Sequence, residues 1–228
     1  MPEATVSTVY DHRLTLAELL GWLVDDGLVK PPDADLLLRD SRLNRLTAHP
    51  LVIISDQKWK SLHEPPRPLN LEMLGGWLAA RVGLEYHHID PLKVDFTAVT
   101  EVMSSAYATR FGILPVKVTT REVLVATTQP FLRDWEKEIR AIVKKDIRRV
   151  FANPVDVARY LIEFYNLARS VKKAAQLGGP SGNLSSFEQL VELGRTNRQF
   201  DANDQHIVNI VDWLWQYAFE QRASDIHI

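Results

Sequence analysis

Apolar residues recur at three- and four-residue intervals near the start of the chain, where Leu16, Leu19, Leu20 and Leu23 make one helical stripe within 14–24. Gly27 follows as a residue suited to the left-handed turn that closes a helix. Pro31 and Pro32 open a second helical run through Asp33–Arg42, proline being tolerated in a first turn. The run from His49 to Ser55 is short and apolar and reads as a strand. The proline-rich segment His63–Pro68 should interrupt regular structure, so a boundary is expected there.

A second pattern begins at Leu69. Leu71, Leu74, Leu78 and Val82 form a helical stripe ending at Gly83, with a strand expected over Leu84–Ile89 and a single helix over Phe96–Arg110. Ile113–Val118 and Glu122–Thr127 are rich in β-branched residues and are joined by the polar Thr119–Arg121, which predicts a hairpin. A helix over Phe131–Lys145, a strand over Ile147–Ala152 and a helix from Pro154 to about Ala175 complete the unit. Mixed elements on this scale predict an α+β fold.

Beyond it, Gln176–Asn183 carries Gly178, Gly179, Pro180 and Gly182 and has a linker's composition. Asn203 can cap a long helix whose Ile207, Ile210, Val211, Leu214 and Ala218 share one face, ending near Arg222. Ala223–Ile228 then alternates apolar and polar residues like a half-buried strand, and the chain stops inside it, so a piece of a longer protein is expected. The expected organisation is a small helical N-terminal segment (1–68), a compact docking domain with its hairpin (69–175), a linker (176–202) and the truncated start of a further domain (203–228). The segments 19–29 and 73–85 look alike, but two short Leu/Gly helix ends are too little to make a repeat.

Composition narrows the function. The chain has 228 residues, 46% hydrophobic and 25% charged, with 27 Lys+Arg against 29 Asp+Glu. A binder that relied on phosphate neutralisation would carry a clear basic excess, so no nucleic-acid partner is expected. Cysteine is absent, which removes disulfides, Cys-based zinc sites and thiol nucleophiles. No apolar stretch approaches the ~20 residues needed to cross a bilayer, and no signal peptide is evident, so a cytoplasmic protein with a peripheral membrane role is expected.

Catalytic and cofactor motifs are missing from the sequence. A phosphate-binding loop needs glycines followed by Lys, and no Gly-Lys dipeptide occurs. The neighbours His87 and His88 would point to opposite faces of a strand and suit no single ion, so no metal is expected. Lys144, Lys145, Arg148 and Arg149 sit among Glu136, Glu138 and Asp146 and read as a solvated helix end. Trp213 and Trp215 face different directions on a helix, and at least one should pack against the core or a neighbouring domain, the core being favoured. Asp225 and His227 share a strand face and read as a hydrogen-bonded surface pair. With no catalytic or cofactor-binding residue in view, function should lie in contacts, for which the aromatics Trp135 and Tyr107 are the candidates.

The segment Ile207–Ile228 resembles the one that opens the ATPase core of the type II secretion and type IV pilus assembly ATPases, a hydrophobic helix followed by Arg-Ala-Ser-Asp-Ile-His-Ile. Ala218 and the string Arg222, Ala223, Ser224, Asp225, Ile226, His227 and Ile228 match it. Ala108–Val118, Val123–Pro130 and Val150–Val155 resemble that family's amino-terminal domain, with its Arg-x-x-x-Leu-Pro element, hairpin and Ala-Thr-x-x-Pro turn. The resemblance covers about 69–175 and 203–228.

It implies a non-catalytic region of a hexameric motor, docked to a cytoplasmic domain of an inner-membrane platform protein. ATP and Mg belong to a catalytic half beyond residue 228, where the Walker elements are expected. Some relatives bind cyclic di-GMP through Arg-Leu-Gly-x-x-Leu-Val-x-x-Gly, which gives the alternative of a nucleotide-sensing domain. Aligned on Leu23, Val24 and Gly27, this chain has Glu18 for the Arg and Leu20 for the first Gly. An acid in place of a phosphate-binding Arg should repel that ligand.

Overall fold

The computed structural model describes residues 11–40 and 48–176, together with Val211, Trp215, Ala218 and Phe219. The chain is α+β, with eight helices and a three-stranded sheet among the described residues.

Helix α1 spans Leu16–Asp25 and starts in a complete capping box: Thr15 accepts from the Glu18 amide, while Glu18 reaches back to the Thr15 amide. Its Leu19, Leu20 and Leu23 are buried. Gly27 at φ 67° ends it, with the Leu28 and Val29 amides donating back to Leu23 O. Helix α2 covers Pro31–Arg39. The expected strand at 49–55 is instead helix α3, Pro50–Ser55. Pro50 occupies the first turn and the His49 imidazole caps it by accepting from the Leu51 amide, which outweighs the β-branched run Val52–Ile54.

Helix α4, Leu71–Arg81, is capped by Asn70 accepting from the Met73 amide. The strand expected at 84–89 is reduced to an isolated bridge between Tyr86 and Phe151. The long helix expected at 96–110 is two: α5, Phe96–Val102, and α6, Ser105–Phe111. Met103 is extended between them, and the Ser104 hydroxyl caps α6 by accepting from the Tyr107 amide. A serine in mid-pattern thus ends one helix and begins the next.

Strand β1 (Ile113–Val118) pairs antiparallel with β2 (Glu122–Thr127) through the expected hairpin, with a register shift between Pro115 and Lys117. Strand β3 (Asp146–Phe151) pairs parallel to β2, so helix α7 (Asp134–Val143) is the crossover between them. Helix α8, Pro154–Gln176, runs back across the sheet and packs with α5, α6 and β1.

Two apolar cores result. One gathers Phe96, Val99, Leu114, Val125, Trp135 and Phe164 around the sheet. The other gathers Leu19, Leu23, Leu51, Ile54, Leu74 and Leu78 from α1, α3 and α4. Helix α4 therefore packs with the N-terminal helices, although it lies beyond the boundary expected at residue 68. Phe151, fully buried at the end of β3, belongs to the second core and joins the units.

Candidate docking surface

The two units meet along a groove of about 770 Å3. One wall is the segment 13–16 with α3; the other is the first two turns of α8, and the floor comes from Gly112, Thr128 and Gln129. Polar bonds fix the walls. The Leu14 amide donates to Gln129 Oε1 at 2.8 Å, with Gln129 buried. His49 Nδ1 accepts from the Leu51 amide at 3.2 Å, so Nε2 carries the proton and donates to Thr128 O at 2.8 Å. Burial in these surroundings pushes the His49 imidazole down to about 4, so it is neutral near pH 7.

Gly112 closes α6 at φ 64°, and a Cβ there would meet Thr128 Oγ1 at 2.6 Å. The bare backbone lets the Thr128 hydroxyl donate to Gly112 O at 3.1 Å. At the rim, Arg13 Nη2 donates to Arg110 O at 2.6 Å, which sets two guanidinium-bearing residues side by side.

The α8 wall is apolar and open. Val155, Ala158 and Ile162 follow one another at helical spacing, with Val155 46% and Ile162 63% exposed. Leu16, Pro50 and Val52 face them across the groove. The arrangement can receive an apolar segment and a carboxylate at the Arg13 end.

The other place of interest is the α1 motif. Glu18 serves the capping box, and its Oε1 also meets His12 Nε2 at 2.8 Å. Its carboxyl lies below the usual range: burial raises it, but the Thr15 and His12 hydrogen bonds together outweigh that. Leu20 is 1% exposed and part of the core. Asp26 accepts from Trp77 Nε1 at 2.8 Å and from Arg81, whose guanidinium lies 5.3 Å over the Trp22 ring. The Arg81 bond, followed by that from Trp77, holds the Asp26 carboxyl low.

Residues 82–171 match the MshEN domain. Over 222 residues, 96% of this chain, the sequence is 39% identical to the type IV pilus assembly ATPase TfpB of Acinetobacter baylyi. The chain belongs to the type II secretion and type IV pilus assembly ATPase family, as its amino-terminal region. It spans 38% of the length of TfpB. It is also similar to a solved structure described as MshE with cdg, at 16% identity and a TM-score of 0.41, over 67% of this chain and 100% of that one. A likeness that slight supports no residue assignment.

Within this assembly-ATPase region the expected contact aromatics fall differently. Trp135 is fully buried and its Nε1 donates to Leu132 O at 2.9 Å, so it is a core residue and not a surface contact. Its partner at helical spacing, the buried Ile139, was the sign of this in the sequence. Tyr107 is partly exposed; its hydroxyl donates to Glu138, and burial with that carboxylate pushes the phenol up. Neither lines the groove. His88 Nε2 meets Glu72 at 3.1 Å, and the His87 backbone amide donates to Phe151 O at 2.8 Å. The string from Arg222 to Ile228, Trp213 and the expected linker after Gln176 lie outside the described residues. The groove's own residues were missed because its walls come from separate stretches of chain; the one local signal was the apolar stripe of Val155, Ala158 and Ile162.

Proposed function

We propose that this chain is the non-catalytic docking and regulatory region of a hexameric assembly ATPase, and that it anchors the motor to the inner-membrane platform from the cytoplasmic side. The occupant of the groove is a cytoplasmic segment of a platform protein, carrying an apolar helical stripe and an acidic residue. The observation behind this is the open α8 wall, Val155 to Ile162, beside Arg13. Large exposed apolar side chains lining a concavity are what a partner's apolar stripe covers. The charge at the Arg13 end favours an acidic flank. No helix among the described residues is long and apolar enough to cross a membrane, which fits attachment through a partner.

ATP and Mg are assigned to the remainder of the parent protein, since this chain contains no Gly-Lys phosphate loop. Hydrolysis and hexamer formation belong to that remainder.

The MshEN match gives a second reading, in which the region senses cyclic di-GMP. Local residues oppose it. Glu18 is held as an ionised cap at the position of the motif's Arg, and Leu20 fills the core where the motif has Gly. Isothermal titration of this chain against the platform's cytoplasmic segments tests the first reading. Binding tighter than ~100 μM supports it, and binding by the ATPase core alone refutes it.

A further inference from the structure

The basic cluster of residues 144–149 is divided by the fold. Arg149 turns inward to Glu136 at 2.7 Å, with both side chains mostly buried, and Arg148 pairs with Glu85. Lys144 and Lys145 turn the other way. They line an open concavity of about 430 Å3 with Arg121 of the hairpin turn and Arg140 of α7, and Asp146 is the one carboxylate there. Lys145 Nζ donates to Thr119 O at 2.7 Å, which ties the hairpin turn to the end of α7.

Lys137 extends this surface. Lys137, Arg140 and Lys144 are spaced by three and four residues, so they share the exposed face of α7 and its end over roughly 10 Å. None of Arg121, Lys137, Arg140 and Lys144 is ion-paired among the described residues. Elsewhere Arg81, Arg133, Arg148 and Arg149 each meet a carboxylate. The chain as a whole is slightly acidic, at −2. This concentration of unneutralised cations is therefore local, and average composition does not account for it.

We infer that the face formed by Lys137, Arg140, Lys144, Lys145 and Arg121 docks on an anionic phospholipid surface, taking the phosphates of several headgroups at once. Three observations favour a lipid surface. The cations are spread along a helix and a turn, beyond the reach of one phosphate. The concavity contains no aromatic or apolar side chain that could recognise a base or a peptide side chain. The charge is long-stemmed Lys and Arg, which suits a mobile layer of headgroups.

The site stands apart from the groove. Strand β2 enters beside the cationic face at Glu122 and leaves at Thr127, next to the groove floor. Six residues at ~3.3 Å each put the two sites roughly 17–20 Å apart, at opposite ends of the sheet. Lipid contact and platform docking can therefore be lost separately.

The experiment is co-sedimentation of this chain with vesicles of phosphatidylcholine mixed with phosphatidylglycerol, against phosphatidylcholine alone. Partition onto the anionic vesicles is expected, with about a fivefold loss for each neutralised cation. Arg140→Glu with Lys144→Glu should abolish it, Arg140→Gln with Lys144→Gln should reduce it about twenty-five-fold, and raised salt should weaken it. Arg140 and Lys144 are both exposed, and unchanged melting verifies folding. Ile162→Asp, in the groove, should partition like the parent chain. Equal partition onto neutral vesicles, or no effect of the charge variants, overturns the inference. Displacement by inorganic phosphate at matched ionic strength overturns it in favour of a discrete anion pocket. Loss of platform binding by the charge variants with vesicle binding intact overturns it in favour of an acidic protein surface.

Discussion

His49 Nε2 donates to Thr128 O at 2.8 Å across the seam between the helical unit and the sheet. The same ring caps α3 through Nδ1, so both nitrogens are engaged by the neutral form. Protonation would place a hydrogen on Nδ1 and break the cap.

Stability should therefore fall in mild acid. The imidazole titrates near 4 when folded and near 6.5 when unfolded. Between those values the unfolded chain binds more protons, so the contribution is complete above pH 6.5 and is lost as pH falls towards 4. The difference corresponds to about 3 kcal/mol. Urea unfolding at pH 7.5 and 4.5 measures it, and His49→Gln should flatten this part of the profile. An unchanged slope in that variant would show that other groups carry the dependence.

Gly112→Ala should destabilise by about 2 kcal/mol or more. The residue sits at φ 64°, and its new Cβ would lie 2.6 Å from Thr128 Oγ1. Gly21, with nothing within 4 Å of a built Cβ, is the control, and Gly21→Ala in α1 should be neutral or stabilising. Thermal unfolding of both variants checks the pair.

Phe151→Ala should cost about 3–5 kcal/mol, since the ring is fully buried in the core of α1, α3 and α4 while its backbone belongs to β3. Because the ring joins the two units, Trp22 and Trp135 fluorescence should report one transition in the parent chain. Separation of those transitions in the variant is the expected sign of lost coupling.

Much of this fold was legible in the sequence, for particular reasons. The hairpin could be read because both strands are β-branched runs around a polar turn, and α1 because its leucines keep helical spacing up to Gly27. The segment 50–55 could not, because Val52, Ile53 and Ile54 favour a strand locally while the Pro50 start and His49 cap decide otherwise. The break at Met103 and Ser104 was hidden for a similar reason, as a single serine cap interrupts an otherwise continuous pattern. Trp135 was misplaced because charged neighbours on both sides masked its spacing to Ile139. The groove and the cationic face were hardly legible at all. Each is assembled from stretches far apart in sequence, and the basic cluster at 144–149 separates only when β3 turns Arg149 inward.

Cyclic di-GMP should show no saturable binding at low micromolar concentration. Glu18 supplies negative charge where the motif places an Arg, and the capping box holds it there. Equilibrium dialysis with labelled nucleotide tests this, and clear saturation would restore the sensing role.

Docking of the platform on the α8 wall of the groove stands or falls with Ile162. The direct measurement is titration calorimetry of the platform's cytoplasmic segments against this chain and against its Ile162→Asp variant. Ile162 is 63% exposed, so the variant should keep its stability to within about 0.5 kcal/mol. Affinity better than ~100 μM is expected for the parent chain, with at least a roughly tenfold loss in the variant. Equal affinity of the two, or binding by the ATPase core in place of this region, would contradict it.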